Sequence, residues 1–111
     1  MITTHVLDTS RGGAAAGVAV ALELREADAW TLIGRGTTDA GGRLTTLVQG
    51  RSLVPGAYRL TFDTAAYHRA QGIDVPFFSD VTIAFTVGDA AAHYHVPLLL
   101  SPFGYCTYRG T

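Results

Sequence analysis

The chain has 111 residues, of which 48% are hydrophobic and 15% are charged, and its formal net charge is −1. This hydrophobic content excludes an intrinsically disordered segment, and the near-neutral charge without a basic run gives no support to binding of nucleic acid or of a membrane surface. A chain of this length typically forms one domain, so we expect a single domain over 1–111.

Cysteine content and the length of apolar stretches bear on the compartment. The one cysteine, Cys106, cannot form an internal disulfide. The longest apolar stretch near the N-terminus, 18–22, is too short for a signal peptide or a membrane span. We therefore expect a soluble protein in a reducing compartment, with the cytoplasm as its location and no contact with a membrane.

The first half of the chain has the alternation of apolar and polar residues that is typical of strands. In the second predicted strand, Val18, Val20, Leu22 and Leu24 fall on one face. The sequence DAGGR at 39–43 predicts a turn, because it is rich in residues that tolerate a positive φ. The strands predicted in this half are 2–7, 18–26, 30–36 and 44–48.

The second half predicts one helix among further strands. Asp63 and Thr64 can cap a short helix near 64–71, and Gly72 ends it. A turn at Pro55-Gly56 precedes this region, and the strands predicted around the helix are 57–63, 81–87, 93–100 and 105–111. About eight closely spaced strands with one helix predict an all-β fold, a two-sheet β-sandwich, with a small barrel as the alternative.

Two histidines lie on one predicted strand face. Since alternate side chains of a strand share a face, His93 and His95 lie on one side of 93–100. The opposite side is apolar or aromatic and should face the core; it carries Tyr94, Val96, Leu98 and Leu100. The outer face is then either plain surface with solvated histidines or a functional site. A third reading is a zinc site in which His5 joins the His-x-His pair.

Three segments resemble the 5-hydroxyisourate hydrolases, which are similar to transthyretin in fold. The first is His5-Val6-Leu7-Asp8, and the second is Gly42-Arg43 at the end of the turn. The third is HYHVPLLLSP over 93–102, followed by Tyr-Arg-Gly-Thr over 108–111. The correspondence extends over nearly the whole chain, and the third segment is its most specific part.

The resemblance implies a homotetramer, a dimer of dimers, whose central channel holds the active sites. It implies catalytic roles for His5, Arg43, His95 and Thr111, and substrate binding by His5, Arg43 and Tyr108. Two departures from the family pattern occur. Thr111 stands where serine is usual, which retains the hydroxyl, and the turn has AGGR where an aspartate often precedes Gly-Arg.

The implied reaction is hydrolysis of a ring amide of 5-hydroxyisourate to 2-oxo-4-hydroxy-4-carboxy-5-ureidoimidazoline in urate degradation. A neutral imidazole can accept the proton of an attacking water near pH 7, and a guanidinium can stabilise the developing oxyanion. We expect no metal and no cofactor. We also expect no covalent intermediate, since Cys106 lacks a nucleophile signature. Which of His5 and His95 is the base stays open.

Two other functions compete with the hydrolase. A non-enzymatic carrier similar to transthyretin would bind small aromatic ligands in the same channel, but it would not need His5, Arg43 and His95 together. An adhesive or carbohydrate-binding sandwich domain is the third possibility. The fourth histidine, His68, lies on the predicted helix and matches no catalytic position, so we expect it on the surface.

Overall fold

The computed structural model describes all residues from 1 to 111 and contains nine strands and one seven-residue helix. The strands form two separate sheets, so the predicted sandwich is confirmed and the barrel alternative is wrong. The strands are β1 (Ile2–Asp8), β2 (Gly13–Ala14), β3 (Ala19–Glu26), β4 (Ala29–Thr37), β5 (Arg43–Leu44), β6 (Gly56–Phe62), β7 (Val81–Val87), β8 (Tyr94–Ser101) and β9 (Gly104–Thr107), and the helix is α1 (Thr64–Ala70).

The first sheet brings the two ends of the chain together. Its strand order is β2-β1-β8-β9, and β5 also pairs with β1. β1 and β8 run parallel, from Ile2 opposite Tyr94 to Asp8 opposite Leu100, whereas every other pairing is antiparallel. The second sheet has the order β4-β3-β6-β7. No helix of the structure is long and apolar enough to cross a membrane.

The core lies between the two sheets and contains 19 buried residues. It follows the predicted alternation, because the apolar faces of β3 and β8 are both buried there. The residues of these faces, all buried, are Val20, Leu22, Leu24, Tyr94, Val96, Leu98 and Leu100, and Val18 just before β3 is buried with them. Fixing this inner face also fixes which side chains of β1 and β8 lie on the outer face of the first sheet.

Two predicted strands are shorter than expected. The strand at 44–48 is wrong beyond Leu44: the chain leaves the sheet there, turns between Thr46 and Gln49, and buries Leu47 over the core. The carbonyl of Leu47 lies where a Cβ at Gly34 would be, so the glycine permits this close approach. The last strand ends at Thr107, and only an isolated bridge at Gly110 continues its pairing with β8.

The predicted helix is present, but the prediction for His68 is wrong. Asp63 caps α1 by accepting a hydrogen bond from the backbone N–H of Ala66, and Gly72 follows with φ of 94°. His68 is only 2% exposed, and neither ring nitrogen has a hydrogen-bond partner. A helix of seven residues is too short to show a hydrophobic period in the sequence. The surface position predicted for His68 therefore rested on its residue type alone.

A buried carboxylate joins the end of β1 to the helix. Asp8 is 2% exposed and accepts hydrogen bonds from the Tyr67 hydroxyl at 2.7 Å and the Ser10 hydroxyl at 2.6 Å. Burial by itself raises the pKa of Asp8, but hydrogen bonds from Ser10, Tyr67 and the backbone N–H of Arg11 together outweigh it, and the net pKa lies below 3.8. The charged form is therefore the one that the fold stabilises.

Removing the Tyr67 hydroxyl should destabilise the protein. Tyr67→Phe leaves one hydrogen bond to a charged, buried acceptor unmade, and we expect the free energy of unfolding to fall by about 1.5–3 kcal/mol at pH 7. Urea denaturation of the two proteins measures the difference. Because the folded pKa of Asp8 is lowered, its contribution is present above the unfolded carboxyl pKa and is lost as the pH falls through the folded one. A difference that grew on acidification would contradict this account.

Candidate active site

The outer face of the first sheet collects polar residues from segments far apart in sequence. In the β1–β5 pairing His5 lies opposite Arg43, and in the β1–β8 pairing Thr3 lies opposite His95. Residues that are partners in register project on the same face of a sheet. Three of the residues predicted from the resemblance, His5, Arg43 and His95, are thereby brought to one surface.

The turn before β5 holds Arg43 in place through Asp39. The Asp39 carboxylate accepts hydrogen bonds from the backbone N–H groups of Gly41 and Arg43, both at 2.9 Å. Gly42 has φ of 78°, and a Cβ there would collide with the carbonyl oxygen of Val6. Asp39 thus supplies the turn-stabilising carboxylate in a chain that has Ala40, Gly41 and Gly42 before the arginine.

The Arg43 guanidinium is available for a ligand. Its residue is exposed, and the single salt bridge of the structure joins Arg59 to Glu23 on the second sheet. An arginine without a carboxylate partner keeps its planar set of N–H donors free for anionic or carbonyl oxygens.

One hydrogen bond places a proton on Nε2 of His5. Its Nε2 lies 2.9 Å from the carbonyl oxygen of Gly41. A carbonyl oxygen only accepts, so Nε2 carries a proton and donates it to Gly41, which leaves Nδ1 facing away from this bond. The same turn that presents Arg43 therefore also orients His5.

Thr3 contacts both His93 and His95, the two histidines of the segment HYHVPLLLSP. Its hydroxyl oxygen lies 2.8 Å from Nε2 of His93 and 2.8 Å from Nδ1 of His95. Nε2 of His95 makes no hydrogen bond within the protein. His93 is exposed and His95 half-buried, as expected for the outer face of β8.

Thr3, Arg43, His93 and His95 line an open cleft of about 370 Å³ on the outer face of the first sheet. His5 lies on the same face, outside the lining of this cleft. Burial, first, and then the positive charges of Arg43, His93 and His5 lower the pKa of His95 below its ordinary value of 6.5. The imidazole of His95 is therefore neutral near pH 7 and can act as a base. The lining residues include Thr3, Arg43, Thr45, His93, His95 and Thr111.

The segment after β9 closes one side of the cleft. The backbone N–H of Gly110 donates to the carbonyl of His95 at 2.7 Å, and the His95 ring packs directly over Gly110. A Cβ at position 110 would lie 2.7 Å from Cδ2 of that ring. Glycine at 110 is thus required by close approach, and it brings Thr111 to the edge of the cleft.

Tyr108 lies elsewhere in the single chain. It lines a smaller, mostly apolar groove of about 150 Å³ together with Phe85, Tyr94 and Arg109, and it is 56% exposed. The Arg109 guanidinium lies 4.5 Å from the centre of the Tyr94 ring. Within one chain, therefore, Thr111 reaches the cleft of His95 whereas Tyr108 does not.

Sequence reasoning missed two residues of this site. Thr3 precedes His5 by two positions, so strand alternation alone would have put both on one face. Asp39 begins the turn, and an aspartate four residues before the arginine fits a side-chain-to-backbone turn. Neither pattern identifies a partner until the strand order is known.

The histidines of this face are not arranged as a set of metal ligands. No group of three or more histidine, cysteine, aspartate or glutamate side chains in the structure is arranged to hold a metal ion. His5 bonds to Gly41, while His93 and His95 share Thr3. The structure therefore does not bring His5, His93 and His95 together as zinc ligands.

The fold and the cleft define a two-sheet sandwich with a histidine- and arginine-lined polar site on one sheet. The chain matches the HIUase/Transthyretin family over residues 2–110 and belongs to that family. A 5-hydroxyisourate hydrolase of Deinococcus radiodurans is 46% identical over 113 residues, which cover 99% of this chain and 95% of the relative.

Solved structures agree with this assignment. The 5-hydroxyisourate hydrolase of Klebsiella pneumoniae is 35% identical with a TM-score of 0.86, covering 99% of this chain and 98% of that one. Sea bream transthyretin in complex with thyroxine is 36% identical with a TM-score of 0.91, covering 99% and 94%. The backbone is thus similar to both an enzyme and a thyroxine-binding protein, and the side chains of the cleft must discriminate between them.

Replacing Arg43 should raise the pKa of His95. Arg43→Gln removes one of the positive charges that disfavour the imidazolium, while the burial of His95 remains, so the pKa should move toward 6.5 without passing it. NMR titration of the His95 ring signals measures the shift, with Arg25→Gln on the second sheet as the matched control. An unchanged or lower pKa in Arg43→Gln would show that Arg43 exerts no field on the ring.

A methyl group at position 110 should displace the His95 ring. We expect Gly110→Ala to shift the ring signals of His95 and to leave the melting temperature within a few degrees, since the segment lies outside the core. Gly88→Ala is the matched control, because a Cβ there meets no atom within 4 Å and its φ is not positive. Unaltered His95 signals in Gly110→Ala would contradict the contact.

Proposed function

We propose that this protein is a hydrolase that opens the ring of 5-hydroxyisourate, with urate degradation as its metabolic context. The observation that carries the proposal is the unpaired Arg43 guanidinium beside a neutral His95 in one polar cleft. Family membership and the names of the relatives in Deinococcus and Klebsiella support it. A carrier of small aromatic ligands has no use for a base next to an arginine.

In the proposed reaction, water attacks a ring amide carbonyl. Nε2 of neutral His95 accepts a proton from the water, and the resulting hydroxide adds to the carbonyl carbon. The Arg43 guanidinium stabilises the negative charge that develops on the carbonyl oxygen. Cleavage of the C–N bond then needs a proton at the leaving nitrogen, and a histidine that has accepted one can return it.

His5, Thr111 and Tyr108 complete the proposed site. His5 offers Nδ1 as a second acid–base group or as a substrate contact, and the hydroxyl of Thr111 lies at the edge of the cleft. Tyr108 is proposed to bind substrate in an assembled oligomer, where a neighbouring chain could bring its ring to the cleft. No cofactor or metal is assigned a role in this scheme.

The direct test follows the decay of 5-hydroxyisourate generated by urate oxidase, with and without the protein. We expect His5→Ala, Arg43→Ala and His95→Ala each to lower kcat/KM by about two orders of magnitude or more, because each removes an acid–base or charge-stabilising group. Arg25→Ala, an exposed arginine on the second sheet, is the control for loss of a charge. Near-wild-type activity of His95→Ala would overturn the assignment of the base.

The assembly is proposed to be a homotetramer, and the cytoplasm stays the predicted location. An exposed aromatic cluster supports self-association: Phe103 is 80% exposed, Phe77 is 66% exposed, and their rings are 6.0 Å apart. Phe78 and Tyr105 extend the cluster with an edge-on contact at 5.3 Å. Contiguous exposed apolar surface of this kind marks protein–protein contacts.

Light scattering at micromolar concentration should give four times the 11.7 kDa mass of the chain. Phe103→Asp should lower that mass, because a carboxylate buried in an apolar contact is strongly destabilising. Leu32→Asp introduces the same charge at another exposed apolar residue and should leave the mass unchanged. A wild-type protein that scatters as a monomer would refute the tetramer.

A further inference from the structure

The hydroxyl of Thr3 occupies an unusual position, because it is the single group between two histidine rings. Thr3 is only 4% exposed, and its hydroxyl has no hydrogen-bond partner other than Nε2 of His93 and Nδ1 of His95. A hydroxyl has one proton to donate and lone pairs with which to accept. If both rings donated to Thr3, its own proton would be buried without an acceptor, which is costly.

The two ring nitrogens must therefore be in opposite states. When Thr3 donates to one nitrogen, that nitrogen has a lone pair, and the nitrogen on the other side of Thr3 carries a proton. This excludes the combination in which both contacting nitrogens are protonated and the combination in which neither is. The protonation states of His93 and His95 are thereby coupled through one hydroxyl.

We propose that Thr3 is a positioning residue that sets the tautomer of His95 and links it to His93 as a proton relay. This rests on the proposed function of the cleft. In the resting state Nδ1–H of His95 donates to Thr3, and Thr3 donates to Nε2 of His93. Nε2 of His95 then keeps its lone pair and is the base.

The relay accounts for every proton when water is activated. Water gives one proton to Nε2 of His95, the Nδ1 proton of His95 passes to the Thr3 oxygen, and the Thr3 proton passes to Nε2 of His93. The result is hydroxide for attack on the carbonyl, a neutral His95 whose Nδ1 now accepts from Thr3, and a protonated His93. Return of the protons along the same path regenerates the resting state.

Charge and exposure favour this direction of transfer. His95 is half-buried and faces the guanidinium of Arg43 on β5, together with the rings of His5 on β1 and His93 beside β8, so an imidazolium at His95 is disfavoured. His93 is exposed to water, which solvates a cation well. Moving the positive charge from His95 to His93, two residues back along the chain, takes it from the more buried ring to the exposed one.

The decisive variants are Thr3→Val, which keeps the shape and removes the hydroxyl, and Thr3→Ser, which keeps the hydroxyl. We expect Thr3→Val to lower kcat for 5-hydroxyisourate by about a hundredfold, the lower end of the range for a lost acid–base contribution, with KM within about twofold. Thr3→Ser should retain kcat within about threefold. Thr9→Val is the matched control, since Thr9 also donates to β8, at the carbonyl of Leu100, away from the histidines.

Two readouts separate a relay from mere structural support. Nitrogen-15 NMR of histidine-labelled protein should show His95 protonated at Nδ1 in the wild type and in Thr3→Ser, and a changed tautomer in Thr3→Val. The effects of Thr3→Val and His93→Ala on kcat should not add, because both interrupt one path. A His95 tautomer that is the same in wild type and Thr3→Val, or fully additive effects, would overturn the proposal.

The outcomes also distinguish this proposal from the proposed function. If wild-type protein fails to hydrolyse 5-hydroxyisourate, the proposed function fails, while the NMR measurement still decides whether Thr3 sets the tautomer. If Thr3→Val does not fold, the tautomer of His95 in the wild type and the kcat of His93→Ala decide whether the relay exists. Protonation of wild-type His95 at Nε2 in the resting state would then refute the relay.

Discussion

The parallel pairing of β1 with β8 is the constraint on which the site depends. It brings residues 2–8 beside residues 94–100, more than 90 positions away, and it fixes Thr3 opposite His95 in register. A shift of one residue would turn Thr3 and His5 into the core and expose Val6. The burial of Ile2, Val6, Val96 and Leu98 between the sheets opposes such a shift, so the apolar core also determines the geometry of the polar face.

Two shorter segments complete the site because they pair with these strands. β5 contributes only Arg43 and Leu44 to the sheet, and the Asp39 turn supplies the hydrogen bonds that so short a strand cannot. On the other side, Gly110 bonds to the backbone of His95 and leaves room for its ring. Both segments are irregular where they meet the cleft, and specific glycines allow the approach.

The electrostatics of the cleft come from an excess of positive groups without carboxylate partners. Burial, and then the charge of Arg43 and of any protonated His93 or His5, lower the pKa of His95 and keep its ring neutral near pH 7. Two carboxylates make other hydrogen bonds: Asp8 accepts from the Tyr67 hydroxyl, and Asp39 accepts from backbone N–H groups of the turn. A surface of this kind suits a substrate rich in carbonyl oxygens and a transition state that gains negative charge, whereas sea bream transthyretin has a similar backbone and binds thyroxine.

The sequence by itself determined the sandwich class, the inner faces of β3 and β8, the capped helix and, through the three matching segments, the family. These features are local: alternation, turn residues and caps act within a few positions, and a motif is a contiguous string. Only the tertiary structure decided that Thr3 bridges His93 and His95, that Asp39 anchors Arg43, and that His68 is buried. Each of these depends on which strands become neighbours or on how a short helix packs, and no periodicity within one segment carries that information.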